Sequence, residues 1–95
     1  MMTVYVIVQL KMIERAAYDR FHARFFDVFR KFNGRLLLSA DENPAILEGA
    51  WDRDKLVSMS LPGEPAFQAW ANSPEYLEIS KDREAGAQGV VLLAK

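Results

Sequence analysis

Val4, Val6, Val8 and Leu10 give an extended segment one wholly apolar face, while Tyr5, Ile7, Gln9 and Lys11 give it a mixed one. This two-residue period marks Thr3–Lys11 as a β-strand, and apolar residues on both faces at its start place it inside a sheet. A helical pattern follows. Within Glu14–Phe32, Tyr18, Phe21, Phe25, Val28, Phe29 and Phe32 form one apolar stripe. Asp19, Arg20, Arg24, Asp27, Arg30 and Lys31 fall on the opposite side. Asn33-Gly34 closes the helix, with Gly34 suited to a left-handed position.

The remaining elements are short and joined by turns. Arg35–Ala40 reads as a second strand and Asp41-Glu42-Asn43-Pro44 as a turn. Ala45–Trp51 reads as a third strand and Lys55–Leu61 as a fourth; residues 35–51 also fit one long strand broken by a bulge. In Lys55–Leu61, Val57, Met59 and Leu61 make an apolar face, and Leu56, Ser58 and Ser60 a mixed one. Glu64–Ala71 is a short helix with Pro65 in its first turn. Ser73 caps a second helical piece that starts at Pro74 and runs through Tyr76 and Ile79 towards Arg83. Ala85–Gly89 reads as a loop and Val90–Ala94 as the last strand.

Composition narrows the function. At 95 residues there is room for one domain, residues 1–95. The formal net charge of −1 supplies no basic excess for a run of phosphates, so nucleic-acid binding is disfavoured. The chain has no cysteine, which removes disulfides and thiolate catalysis and suits a reducing compartment. One histidine cannot build a multi-histidine metal site, so no metal is expected. The opening apolar run lacks the flanks of a secretory signal, and no stretch is long enough to span a membrane. A cytoplasmic protein is the expectation, with no membrane partner.

The order strand–helix–hairpin–helix–strand is the split βαβ, ferredoxin-like plan of the α+β class. Helices would cover one face of an antiparallel sheet. The other face would carry Tyr5, Ile7, Gln9, Ser58 and Ser60. It is too apolar to stay wet and too polar for an ordinary core. Two such sheets facing each other would make a homodimer with a semi-polar interior.

The chain resembles the domain-of-unknown-function family numbered 1330, within the dimeric α+β barrel superfamily. Four stretches carry the resemblance: Tyr5-Val6-Ile7-Val8-Gln9-Leu10-Lys11, Ala17-Tyr18-Asp19-Arg20, Leu47-Glu48-Gly49-Ala50-Trp51, and Asn72-Ser73-Pro74-Glu75-Tyr76 after a helix bearing Trp70. The superfamily includes cofactor-free monooxygenases, isomerases and haem-handling members, with their chemistry in a cleft between sheet and helices. The resemblance implies a pocket rather than a reaction. None of those relatives' catalytic motifs matches here residue by residue, and His22 does not align with a haem ligand. No cofactor is expected.

The polar residues that such a pocket would use can be ranked. His22 lies at the border of the helical stripe and is a candidate acid or base, against the plainer role of a hydrogen-bonded histidine. Glu48 shares a face with Ile46 and Ala50 if that segment is a strand. It is then either a confined carboxylate able to act as a base or an edge charge that resists aggregation. Tyr5, Tyr18 and Tyr76 offer phenols, and Trp51 and Trp70 offer indoles, for orienting a ligand; taken singly, each aromatic at helical or strand spacing reads first as core. Tyr5 escapes the core reading best, because alternation puts it on the mixed face. Ser58 and Ser60 lack a nucleophile elbow and are suited to water or ligand contacts. Lys81, Arg83 and the pair Arg20 and Arg24 read as a solvated charged face. The expected function is binding of a small organic molecule. A cofactor-free enzyme using the same pocket and a non-catalytic interaction dimer are the alternatives.

Overall fold

The structure is a computed structural model, and it describes residues 3–40 and 44–95. Four strands, β1 (Val4–Met12), β2 (Arg35–Ala40), β3 (Lys55–Leu61) and β4 (Ala87–Ala94), form one sheet in the order β2-β3-β1-β4. Every neighbouring pair is antiparallel. Three α-helices, α1 (Arg15–Phe29), α2 (Glu64–Ala71) and α3 (Pro74–Gly86), complete the chain. This is the ferredoxin-like split βαβ arrangement, with β1 central.

The register explains the burial. Val4, Val6, Val8 and Leu10 of β1 lie opposite Leu61, Met59, Val57 and Lys55 of β3. All eight are buried on the helix-covered side, against Tyr18, Phe21, Val28 and Phe29 of α1 and Trp70 and Ile79. The opposite face is open. Across it Leu38, Ser58, Ile7 and Leu92 make one row, one residue from each strand. Arg35, Ser60, Tyr5 and Ala94 make the next.

Local differences from the sequence reading have physical reasons. Ala45–Trp51 is not a strand: residues 44–54 are irregular and carry the chain from β2 to its neighbour β3. Gly49 holds φ +85°, in the left-handed region and outside the extended conformation of a regular strand. The bulge lies inside β2, between Leu36 and Leu38, not between two strands. The turn expected at Asp41–Pro44 falls, but for Pro44, outside the described residues. A short 3₁₀ turn, Arg30–Phe32, follows α1, and the left-handed residue after it is Asn33, at φ 63°, rather than Gly34. Asparagine tolerates that region through its short polar side chain. The loop expected over Ala85–Gly89 does not form, because α3 runs to Gly86 and β4 starts at Ala87. The Gly86 carbonyl accepts from the Ile13 and Glu14 amides at 2.9 and 3.0 Å, which joins the end of α3 to the start of α1.

Candidate functional site

A cavity of about 160 Å³ lies between the sheet and the helices. Its floor comes from the apolar side of the sheet: Val6 and Val8 of β1, Val57 and Met59 of β3, and Val91 of β4. Its roof is α1, which presents Tyr18, Phe21, His22, Phe25 and Phe26. These are the stripe residues and their immediate neighbours, so the helical period aims them at the sheet. Trp70 closes one wall from the end of α2, and Tyr76 and Arg83 reach it from α3.

Three residues hold the Trp70 wall in place. Ser73 Oγ donates to the Trp70 carbonyl at 2.9 Å and accepts from the Tyr76 amide at 3.2 Å. It caps α3 as its sequence position requires. The indole packs on Tyr76 at 4.4 Å between ring centroids and edge-on to Phe29 at 5.0 Å. Trp70 is 3% exposed, yet its Nε1–H has no acceptor among the described residues. A buried donor left unmatched costs about 1–3 kcal/mol.

The charged lining is cationic. Lys55 is 3% exposed, with Nζ 5.2 Å from the centroid of the Tyr18 ring. The Arg83 side chain is 20% exposed; its terminal nitrogen stands 3.9 Å from Glu84, while its Nε is buried without an acceptor among the described residues. Ser39 adds a hydroxyl from β2. No carboxylate lines the cavity among the described residues.

The expected site residues divide into two groups. Tyr18, His22, Trp70 and Tyr76 line the one cavity, with His22 otherwise exposed on α1 and its ring 6.2 Å from that of Tyr18. Tyr5 and Ser58 lie on the open face of the sheet instead. Trp51 lies over that face as well, where its Nε1 donates to Gln9 Oε1 at 3.2 Å. Glu48 is exposed on the irregular segment, so within one chain it does not meet His22. Arg83 leaves the solvated face expected of it: α3 packs on α1, which turns Arg83 inward, whereas Arg20 stays outside and pairs with Asp82 at 3.3 Å.

Sequence reasoning missed Lys55, Arg83 and Ser39. For Lys55 a signal existed, since it shares parity with Val57, Met59 and Leu61 on the apolar face. For Arg83 none did, because α3 has little apolar periodicity.

No helix among the described residues is long and apolar enough to cross a membrane, and no group of His, Asp and Glu among them is placed to hold a metal ion. The DUF1330 family, described as a domain of unknown function, matches residues 3–95. Among solved structures, a protein of unknown function from Rhodopseudomonas palustris superposes with a TM-score of 0.85 at 17% identity, over 98% of this chain and 81% of that one. A dimeric ferredoxin-like protein of unknown function from Jannaschia superposes with a TM-score of 0.76 at 14% identity, over 99% of both chains. SnoaB, a cofactor-independent oxygenase from Streptomyces nogalater, superposes with a TM-score of 0.68 at 15% identity, over 98% of this chain and 91% of that one. At such identities the likeness is one of fold. No curated protein sequence matches the chain significantly.

Proposed function

The chain belongs to the DUF1330 family, a domain of unknown function, and on that premise we propose that it is a binding protein whose residues 1–95 form a single dimeric α+β barrel domain. It pairs with a second copy through the open sheet face and holds a small organic molecule in the cavity between sheet and helices.

The cavity carries this reading. Protein interiors are close-packed. Filling a space of about 160 Å³ with larger side chains would stabilise the domain by on the order of 4 kcal/mol. Small domains hold only about 5–15 kcal/mol in total. Keeping the space is a cost that ligand binding accounts for.

The open face supports the pairing. Tyr5, Leu37, Leu38, Val90 and Leu92 are all exposed there in a single chain. Such a patch marks an interaction surface. Solved proteins of this fold are described as dimeric. The absence of cysteine suits a reducing compartment, and the cytoplasm is the proposed location. Catalysis would need an acid–base group within reach of the ligand. Among the described lining residues the His22 imidazole is the group suited to that work near neutral pH, and no carboxylate lines the cavity beside it, so binding is the better supported use.

Native mass spectrometry of protein isolated from cells tests the reading. The expected species is two chains with small-molecule mass attached. A single bare chain at micromolar concentration would overturn the pairing.

A further inference from the structure

We propose that the ligand of this cavity is an uncharged one-ring carbonyl compound, a ketone or an aldehyde, whose oxygen accepts a hydrogen bond from the Trp70 indole. The inference rests on the cavity being a binding site and goes further by naming the ligand's chemical class.

Trp70 has a donor that the chain does not use. The side chain lines the cavity and is 3% exposed, and its Nε1–H has no acceptor among the described residues. Its neighbours are rings: Phe29, Phe67, Phe25 and Tyr76 pack on the indole with centroids 4.4–6.3 Å away. The other indole of the chain is satisfied, since Trp51 Nε1 donates to Gln9 Oε1 at 3.2 Å. An indole donates one hydrogen bond and accepts none. The ligand atom that satisfies Trp70 is therefore an acceptor, and a hydrocarbon leaves the donor unmatched.

The lining disfavours an ion of either sign. Its two cations already have partners: Lys55 Nζ stands over the Tyr18 ring, 5.2 Å from the centroid, and the Arg83 terminal nitrogen is 3.9 Å from Glu84. An anionic ligand would have to draw one of them away. A cationic ligand would meet no carboxylate among the described lining residues. Burying an unpaired charge costs far more than burying a hydrogen-bonded dipole. Among neutral acceptors, a hydroxyl or a primary amide brings donors that need acceptors of their own. A carbonyl oxygen brings two lone pairs and no donor, which suits a lining made mostly of valine and aromatic side chains.

Size sets the body of the ligand. A cavity of about 150 Å³ lined by aliphatic and aromatic side chains takes benzene. This one, at about 160 Å³, has such a lining in Val6, Val8, Val57, Phe21 and Phe25. It fits one ring and a short carbonyl group.

The test is an ¹⁵N-resolved NMR titration of the intact protein with toluene, acetophenone and benzoate near neutral pH. Toluene reports the cavity alone. Acetophenone adds the carbonyl, and benzoate adds a similar outline with a charge. Acetophenone is expected to bind saturably and to move the Trp70 indole proton downfield, as a new hydrogen bond does, with the Trp51 indole in place. Toluene is expected to bind without that downfield move. Benzoate is expected to bind at least about tenfold more weakly than acetophenone, a ratio set by the cost of burying its charge. Trp70→Phe keeps a ring and removes the donor. Measured against toluene on the same variant, acetophenone is expected to lose about five- to tenfold in affinity, the factor for one neutral hydrogen bond. Should that variant not fold, the indole resonance of the parent still decides.

Acetophenone binding with no downfield move at Trp70, or with its affinity relative to toluene unchanged in Trp70→Phe, would overturn the carbonyl contact and leave the cavity reading standing. Benzoate bound as tightly as acetophenone would overturn the uncharged ligand, again with the cavity intact. Failure of all three probes to bind at millimolar concentration would overturn the cavity reading and this inference together.

Discussion

Lys55 Nζ stands 5.2 Å from the centroid of the Tyr18 ring, so the first residue of β3 and the second turn of α1 meet at the cavity wall. A cation over an aromatic face contributes about 0.5–2 kcal/mol, more as water is excluded. Tyr18→Leu removes the ring while keeping an apolar side chain. The expected loss is about 2–4 kcal/mol, combining this contact with the lost core volume. Urea unfolding at fixed protein concentration measures it.

Ser73 joins Trp70 to Tyr76 through two hydrogen bonds. Ser73→Ala removes the cap of α3, which costs about 1 kcal/mol. In a domain of this size that is a fall in Tm of about 4–8 °C. Ser73→Asp restores an acceptor for the Tyr76 amide and is expected to recover part of the loss, since the cap is the larger of the two roles. Calorimetry on the pair distinguishes them.

Gly86 lies against the backbone of α1. A Cβ there would come within 2.4 Å of the Tyr18 amide nitrogen and 2.8 Å of the Glu14 carbonyl oxygen. Neither atom can rotate aside, so α1 and α3 must separate to admit it. Gly86→Ala is expected to cost about 1–3 kcal/mol, as overpacking does elsewhere. Chemical denaturation gives the value directly.

Val8 lines the cavity from β1. Val8→Ile adds one methylene to that space without touching a polar group. The expected result is a protein more stable by about 0.5–1 kcal/mol and weaker in toluene binding, the opposed changes that a functional cavity produces. Thermal melts and a toluene titration on the same preparation check both signs.

On the open face, Leu92 ends a row with Ile7, Ser58 and Leu38. Leu92→Glu puts a charge in the surface proposed to pair with a second copy. Sedimentation is expected to show two chains for the parent and one for the variant at the same micromolar concentration. The variant's helix content is expected to stay unchanged, because Leu92 contributes nothing to the helix-covered core.

Much of this architecture was legible from spacing. The parity of Val4, Val6, Val8 and Leu10 named the face that helices cover, and the steps from Tyr18 to Phe32 named the face that covers it. Ser73 and Pro74 marked the start of α3 correctly. Ala45–Trp51 misled because Ile46, Leu47 and Trp51 look like a strand, and periodicity does not register the backbone demanded by Gly49. Leu47 is instead 96% exposed. In the site, aromatic spacing led to Tyr18, Trp70 and Tyr76. Lys55 shares the parity of the apolar face, but lysine and arginine are ordinarily at the surface, and nothing in the pattern of α3 marked Arg83. Only the pairing of Lys55 with Leu10, and the packing of α3 on α1, carry them inward.

The most direct test of the central claim is methyl-resolved NMR during a toluene titration. The methyls of Val6, Val8, Val57 and Met59, which line the cavity, are expected to shift together and saturably, with Leu47 and Leu77 unmoved. No saturable change at the four cavity methyls, or a response confined to exposed leucines, would contradict a ligand site between the sheet and the helices.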